Sequence, residues 1–435
     1  MDRADLRRIV QECQRRLEKA GLTSGGTVAL RLPPSLCYVG HLLASWRIGA
    51  QVTVLDHRLT EHEAAEAVKR IDPQVVVSPK TEVTTMLRGY VEVTARYALR
   101  AGTPARTAHA LLQLSSGSTG NPKIIGRGVH DLLREIDRYR QTDGMPGRGE
   151  RVVQLSSIAH SFGLVGGLLH SLHAGVLMTL PKQFSAASIL DAVTSRTESA
   201  TLLGVPFHYG LLTTRTPKAG APQLARAVSG GEKIRPEVAE QFTEQYGIPL
   251  GECYGMTETG FIALDFFGRH RPALGPVAPG VAVRVEKGEL LVRAPENPYL
   301  STTDASRWTD GWLRTRDAAA LDADTEVLTV TGRLDSQVSV GGLKVDLTEV
   351  EQVLAALPGV HEAVVVFAGH IVAYLTVAPG TGAAHLRSEM RSRLAAFKRP
   401  RRLHLLSSLP RTSTGKLVRD LAVLRAAAAD NPSSP

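Results

Sequence analysis

Leu112-Gln-Leu-Ser115-Ser116-Gly117-Ser118-Thr119-Gly120-Asn121-Pro122-Lys123 is the stretch on which the interpretation of this chain turns. It follows a strand-like run and sets four hydroxyls around two glycines, with a lysine three residues after the second. Small residues let backbone N–H groups approach an anion closely, and hydroxyls and an ammonium add donors, which describes a phosphate cradle. A flexible Ser/Gly linker is the bland alternative. The spacing is not that of a Walker A loop, because Gly and Lys are separated and no Ser or Thr follows Lys123, and it is not GxGxxG.

Working outward, the first two-thirds of the chain alternates helical and strand-like patterns. Leu6, Ile9, Val10, Cys13 and Leu17 have helical spacing, and Thr27 to Leu32 is a short apolar run. Pro34 to Gly49 and Glu61 to Ile71 are helix-like, while Val52 to Leu55 and Gln74 to Val77 are strand-like. The rhythm returns at Arg151–Leu155, Gly175–Leu180, Ala200–Val205 and Leu250–Cys253. Such alternation predicts an α/β fold of βαβ units around mostly parallel sheet. From Val281 the strands shorten and polar turns split them, predicting a small antiparallel subdomain. A charged turn at Gly332–Ser336 marks a boundary, giving a large N-terminal domain over 1–333 and a small α+β domain over 334–435. In the latter, Glu349 to Ala356 and Leu386 to Phe397 read as helices, with a hairpin across Ala368-Gly369-His370.

Composition narrows the class. The 435 residues are 43% apolar with 40 Gly and 24 Pro, which excludes collagenous, disordered and disulfide-scaffold chains. No window supplies the run of roughly 20 apolar residues that a membrane span needs. Gly163 to Leu180 is interrupted by His170 and His173, and the N-terminal run is amphipathic, so a cytoplasmic protein with no membrane partner is expected. Lys plus Arg exceeds Asp plus Glu, 51 to 42, for a formal +9. Arg is suited to gripping phosphates, but the charges are scattered and nothing resembles an aromatic-and-basic RNA-binding strand, so no nucleic-acid partner is expected. The 3 cysteines are far apart and lack metal-ligand spacing, which argues against a zinc site or a disulfide framework.

Ser115 to Lys123 resembles, throughout, the phosphate loop of the acyl-adenylate-forming superfamily: acyl- and aryl-CoA ligases, luciferases and peptide-synthetase adenylation domains. Further motifs follow in that family's order. Gly230-Gly231-Glu232 resembles the stretch lining the adenine pocket, and Tyr254-Gly255-Met256-Thr257-Glu258-Thr259 the Tyr-Gly-x-Thr-Glu motif. Gly288-Glu289-Leu290 and Gly311 to Asp317 resemble the next two, Gly332-Arg333-Leu334-Asp335 the domain hinge, and Gly341-Gly342 to Glu351 the segment after it. Pro410 to Lys416 resembles the C-terminal lysine loop. The likeness spans almost the whole chain and implies a mobile C-terminal lid over an adenylate-forming core.

In such enzymes a carboxylate attacks the α-phosphorus of ATP, expelling pyrophosphate and leaving an acyl-AMP, so donors and positive charge must surround the phosphates. The resemblance implies that Ser115, Ser116, Gly117, Ser118, Thr119, Gly120 and Lys123 hold the β and γ phosphates. Glu258 would hold Mg²⁺ through oxygen, the ligand this hard cation prefers. Tyr254 would stack on adenine, Thr257 would contact the α-phosphate, and Asp317 would accept both ribose hydroxyls with Arg333 nearby. Lys416 would bridge the carboxylate and the α-phosphate. Glu258 and Asp317 as helix-cap or turn residues, and Lys416 as an exposed lysine, are the bland alternatives.

For the second step the resemblance implies a pivot at Asp335 that withdraws Lys416 and presents Gly341 and Gly342 to a thiol, although these glycines could equally serve a turn. The acid pocket is expected around His160, Ser161, Phe162, Phe207, His208, Ser229 and Phe261. His160 matches a residue that flanks the acyl carboxylate and gates the thiol channel, a satisfied core histidine being the alternative. Ser161 stands where amino-acid-activating relatives carry Asp to pair an α-ammonium, whose unpaired burial would be costly. An apolar acyl or aryl acid is therefore expected. The expected cofactors are ATP, Mg²⁺ and CoA, or a phosphopantetheine carrier protein in place of CoA. An inactive nucleotide-binding homologue is the reading from a different class. The chain departs from the family in a later N-terminal start, in Cys253, and in Arg316, which replaces a usual Gly.

Overall fold

The computed structural model describes residues 1–81, 83, 89–115, 123–214, 221–231, 233–234, 236–301, 304–334, 337–410 and 417–429. The chain divides into two compact units. One comprises Met1–His57, Ile71–Leu114 and Ile124–Leu334, and the other draws Arg58–Arg70 together with the chain beyond Leu334.

The first unit holds three sheets. In the first, Leu111–Ser115, Gln51–Val54, Thr27–Leu30 and Val75–Pro79 run parallel side by side, with the antiparallel strand Ala95–Leu99 at one edge. At the other edge Lys123–Arg127 pairs antiparallel with Tyr299–Ser301. Thr27–Leu30 and Gln51–Val54 are buried at every position, as expected of parallel strands covered on both faces, polar Thr27, Gln51 and Thr53 included. The helix Leu36–Ile48 covers them. Ser35 caps it by accepting from the Tyr38 N–H, and it ends at Gly49, whose φ of 88° is left-handed.

The second sheet places Gly260–Asp265, Leu250–Met256, Leu224–Gly230, Ala200–Gly204, Arg151–Gln154 and Leu177–Thr179 in that order, parallel except for the first strand. Val28, Val52, Val152, Val228 and Leu264 share one apolar core with the helices, so the two sheets form a single packed body. The third sheet is antiparallel and includes Val283–Glu286, Glu289–Arg293, Trp312–Leu321 and Val327–Arg333. This is the mixed α/β architecture that the sequence rhythm predicts, with the short-stranded subdomain where the polar turns begin.

The second unit has its own core of Val345, Val350, Leu354, Val365, Leu375 and Leu386. Its sheet pairs Val360–Phe367 with Ile371–Val377 antiparallel, and the latter with Arg402–Leu406 parallel. The hairpin expected across 368–370 is present, and the expected helices run Leu347–Ala355 and Ala383–Arg393. Gly341 and Gly342, at φ 57° and 80°, turn the hairpin between Gln337–Val340 and Leu343–Asp346. Two successive positive φ values define a turn that glycine adopts without steric cost.

Among the described residues no helix is long and apolar enough to cross a membrane. Cys13, Cys37 and Cys253 are buried free thiols. His170 is buried, 1% exposed, with its Nε2 on the Pro146 carbonyl at 2.9 Å. His41, also 1% exposed, lies between the Cys37 carbonyl and the Tyr97 hydroxyl. Burial lowers the pKa of both imidazoles. The unfolded chain therefore binds more protons than the native one below about pH 6.5, and stability falls as the pH falls. The expected result is a urea midpoint that drops between pH 7 and pH 5. His41→Gln and His170→Gln should each flatten that slope, by up to about 1.4 kcal/mol per pH unit. A slope identical in parent and variants would show that neither imidazole is held neutral by its burial.

Candidate active site

The Tyr-Gly-x-Thr-Glu motif folds as a β-hairpin. Leu250–Met256 pairs antiparallel with Gly260–Asp265, Met256 opposite Gly260, so Thr257, Glu258 and Thr259 form the connecting turn. Two buried charges sit beneath it. Arg127 and Glu135, each 1% exposed, form an ion pair at 2.8 Å. Arg127 donates to the Thr257 carbonyl at 3.2 Å, and Glu135 accepts from the Phe261 N–H at 3.2 Å. Arg138 donates to the carbonyls of Thr259 and Phe261 from the same helix as Glu135. The turn's entry and exit are thus fixed by charge-assisted hydrogen bonds.

Glu258 has a partner of its own. The Tyr299 hydroxyl donates to its Oε1 at 2.8 Å, and Arg307 Nη2 lies 3.4 Å from the Tyr299 oxygen. Burial, reinforced by the Glu258 charge, pushes the Tyr299 hydroxyl well above the usual phenol range, so it remains a donor.

Asp317 lies in the long strand Trp312–Leu321, directly opposite Arg333 in the neighbouring strand. Tyr254, 63 positions earlier, donates its hydroxyl to Asp317 Oδ2 at 2.5 Å. The Asp317 N–H donates to Thr315 Oγ1, which donates to the Leu290 carbonyl. Glu289, 6% exposed, accepts from Arg314 at 2.6 Å and from the Arg316 N–H at 3.1 Å. The Gly288-Glu289-Leu290 motif therefore braces the irregular stretch of strand that carries Asp317. Arg316 adopts φ 64°, a left-handed conformation that explains why glycine suits this position. Its guanidinium reaches Ser306 Oγ at 2.9 Å and Asp304 at 3.5 Å, contacts that glycine could not make.

The loop after Arg151–Gln154 carries the expected acid-pocket residues. Ser161 donates to Gln113 Oε1 at 2.9 Å, and Gln113 Nε2 donates to the Ala159 carbonyl at 3.1 Å. His160 lies half-exposed with its Nε2 3.0 Å from Asp56 Oδ2. Phe162 opens the wide helical turn Phe162–Leu169. The others are placed differently from one another. Phe207 is exposed, at 38%. His208 is 4% exposed, its Nδ1 accepting from the Val205 N–H, where it caps the helix Pro206–Thr213. Ser229 is fully buried, and Phe261 packs on Tyr139 at 4.0 Å between ring centres.

Gly230 ends the strand Leu224–Gly230, and Gly231 follows it with φ 87°. Gly255 lies at the register shift of the hairpin, and Met256 is buried beside it. Lys123 opens its strand with a side chain 6% exposed. For Ser115 and Arg333 only the backbone is described. Ser116, Gly117, Ser118, Thr119, Gly120, Glu232, Asp335 and Lys416 lie outside the described residues.

Sequence motifs did not point to Arg127, Glu135, Tyr299 or Asp56, because each acts through partners far away in the chain. The only available signal was charge in an apolar setting, such as Arg127 after Ile124-Ile125-Gly126.

The profile of the AMP-binding enzyme family matches residues 3–297, and that of the AMP-binding enzyme C-terminal domain matches residues 349–416. The chain belongs to the AMP-binding enzyme family. It is similar to the 2-hydroxy-7-methoxy-5-methyl-1-naphthoate–CoA ligase of Streptomyces carzinostaticus, at 29% identity over 86% of this chain and 73% of the relative. The p-hydroxybenzoic acid–AMP ligase FadD22 of Mycobacterium tuberculosis is also 29% identical, over 93% of this chain and 62% of the relative's own length. In fold the chain is similar to o-succinylbenzoate CoA synthetase from Bacillus subtilis, with a TM-score of 0.82 and 22% identity over 96% of this chain and 92% of that one.

Proposed function

We propose that this chain activates an apolar acyl or aryl acid with ATP, forming acyl-AMP and pyrophosphate, and then transfers the acyl group to the thiol of CoA. The observation that carries this reading is the Tyr254–Asp317 hydrogen bond, with Arg333 opposite Asp317 and Glu258 on the adjoining hairpin turn. An aromatic ring beside a carboxylate suits a nucleoside, the ring for the base and the carboxylate for the ribose hydroxyls. Thr257 and Glu258 would then face the phosphates, with Ser115 to Gly120 and Lys123 as further donors, and Gly230 to Glu232, Gly255 and Met256 along the adenine.

Among the described residues no three His, Cys, Asp or Glu side chains cluster as a metal cage. One carboxylate, Glu258, suits Mg²⁺, which binds through one or two carboxylates and completes its shell from phosphates and water. When bound, the ion would neutralise phosphate charge. The Tyr299 donor holds Glu258 Oε1 and leaves the other oxygen for that purpose. In this proposal Lys416 stabilises the charge developing between carboxylate and α-phosphate, and a pivot at Asp335 separates the two half-reactions, with Gly341 and Gly342 along the thiol channel. His160, Ser161, Phe162 and Phe207 would bound the acid, with His208, Ser229 and Phe261 supporting that wall from the core.

Loading of a separate phosphopantetheine carrier protein is a second reading, supported by the similarity to an acid–AMP ligase. The test is ATP–pyrophosphate exchange over a panel of aryl and acyl acids, followed by release with CoA or with a holo-carrier. Exchange is expected with a narrow set of acids, and Lys416→Ala should reduce it by roughly 10²–10³, about 3–4 kcal/mol. Background exchange across the whole panel would overturn the proposal. Release by carrier alone would transfer the assignment to the second reading.

A further inference from the structure

His160 is held differently from a residue that merely fills a wall. Its loop is fixed on each side before the imidazole is considered. The buried Tyr38 hydroxyl donates to the Ile158 carbonyl at 3.0 Å, Gln113 donates to the Ala159 carbonyl, and Ser161 donates back to Gln113. The His160 N–H itself closes a turn on the Ser157 carbonyl at 3.1 Å. With this backbone set, the remaining freedom is rotation of the ring, and Asp56 removes it.

Asp56 follows the strand Gln51–Val54 in the first sheet, whereas His160 follows Arg151–Gln154 in the second. Both lie past the carboxyl ends of parallel strands, where open α/β sheets place their ligands. The carboxylate is 8% exposed and the imidazole 48%, so the acid is the shielded partner and the ring the accessible one. The other carboxylate oxygen lies 3.7 Å from His57 Nδ1. A carboxylate on one ring nitrogen fixes which tautomer is present and how the ring is turned.

We propose that Asp56 is a positioning residue for His160: it holds the Nε2–H tautomer and leaves Nδ1 as the base that takes the thiol proton during acyl transfer. This rests on the function proposed above. In that step the acceptor S–H bond breaks, its proton passes to Nδ1, and sulfur forms a bond to the acyl carbon. The acyl–phosphate C–O bond breaks with its electron pair remaining on AMP. The resulting imidazolium carries its charge beside the Asp56 carboxylate, the logic of a nucleophile, a base and an orienting acid.

Two measurements test it. In ¹⁵N-histidine-labelled protein, with the His160 signals assigned through His160→Gln, the ring should show the Nε2–H tautomer, and Asp56→Ala should convert it to a mixture. This arm needs no substrate. In the second, single-turnover acyl transfer from the preformed adenylate to CoA should fall roughly 10²-fold in Asp56→Ala, with pyrophosphate exchange changed less than about threefold. His160→Ala should cause a similar loss, and the double variant no further one. Asp56→Asn, nearly isosteric, should also lose transfer, which keeps the test valid if the alanine variant folds poorly. His160 signals unchanged in Asp56→Ala, or losses that multiply in the double variant, would overturn the pairing. A parent protein without exchange on any acid would overturn the proposed function instead, while the NMR arm still decides the tautomer.

Discussion

Glu135→Ala should destabilise the N-terminal unit by about 3–5 kcal/mol, because it strands the Arg127 guanidinium at 1% exposure without its counter-charge. The large cost reflects the missing partner, and it says little about what the pair contributes when complete. Arg127→Met with Glu135→Leu, which removes both charges and keeps similar volume, should recover most of that loss or exceed the parent. Activity should behave in the opposite way. The pair donates to the Thr257 carbonyl and accepts from the Phe261 N–H, so an apolar replacement leaves both ends of the Thr257–Thr259 turn without those bonds. The expected outcome is a double variant as stable as the parent in urea but with adenylation reduced by one to two orders of magnitude, from about 1.5–3 kcal/mol per hydrogen bond to a charged group. Full exchange activity in the stable double variant would show that the turn keeps its geometry without the charges, and that the pair is merely structural.

This pair also shows what could be read before the fold was known. The recurring short apolar runs mark most parallel strands, because a strand buried on both faces is rich in apolar residues along its length. The hairpin at 368–370 and the glycine turn at 341–342 were legible because local chemistry decides them. Contacts across the chain were not. Nothing about Tyr254 indicates that its hydroxyl meets Asp317, 63 positions on, and nothing about Asp56 indicates His160, 104 positions on. Arg316 is an intermediate case. The sequence shows a departure from a usual glycine, and only the backbone angle shows that the departure falls at a left-handed residue. Motifs thus named the hairpin turn and Asp317, while the residues that hold them, Arg127, Glu135, Tyr299 and Glu289, became visible only through hydrogen bonds. His208 illustrates the converse. The resemblance implies an acid-pocket position for it, and only the hydrogen bonds show that its ring nitrogen also caps its own helix.

The largest effect on nucleotide use is expected at Asp317. If its carboxylate accepts the ribose hydroxyls, Asp317→Ala removes two hydrogen bonds to a charged group, each of about 1.5–3 kcal/mol and not fully additive. Roughly 10²–10³ in kcat/KM for ATP should be lost. Tyr254→Phe should cost far less, because it removes the donor at 2.5 Å from Asp317 while leaving the ring. A chemical version of the same experiment separates this role from damage to the fold. With 2′-deoxy-ATP the parent should lose roughly 10- to 100-fold, whereas Asp317→Ala, having no acceptor to lose, should treat ATP and its deoxy analogue nearly alike. A general disturbance of the strand would lower both rates and preserve the preference. A preference for ATP that is equal in parent and variant would therefore remove Asp317 from the ribose, and with it the placement of the nucleotide between Tyr254 and the hairpin turn.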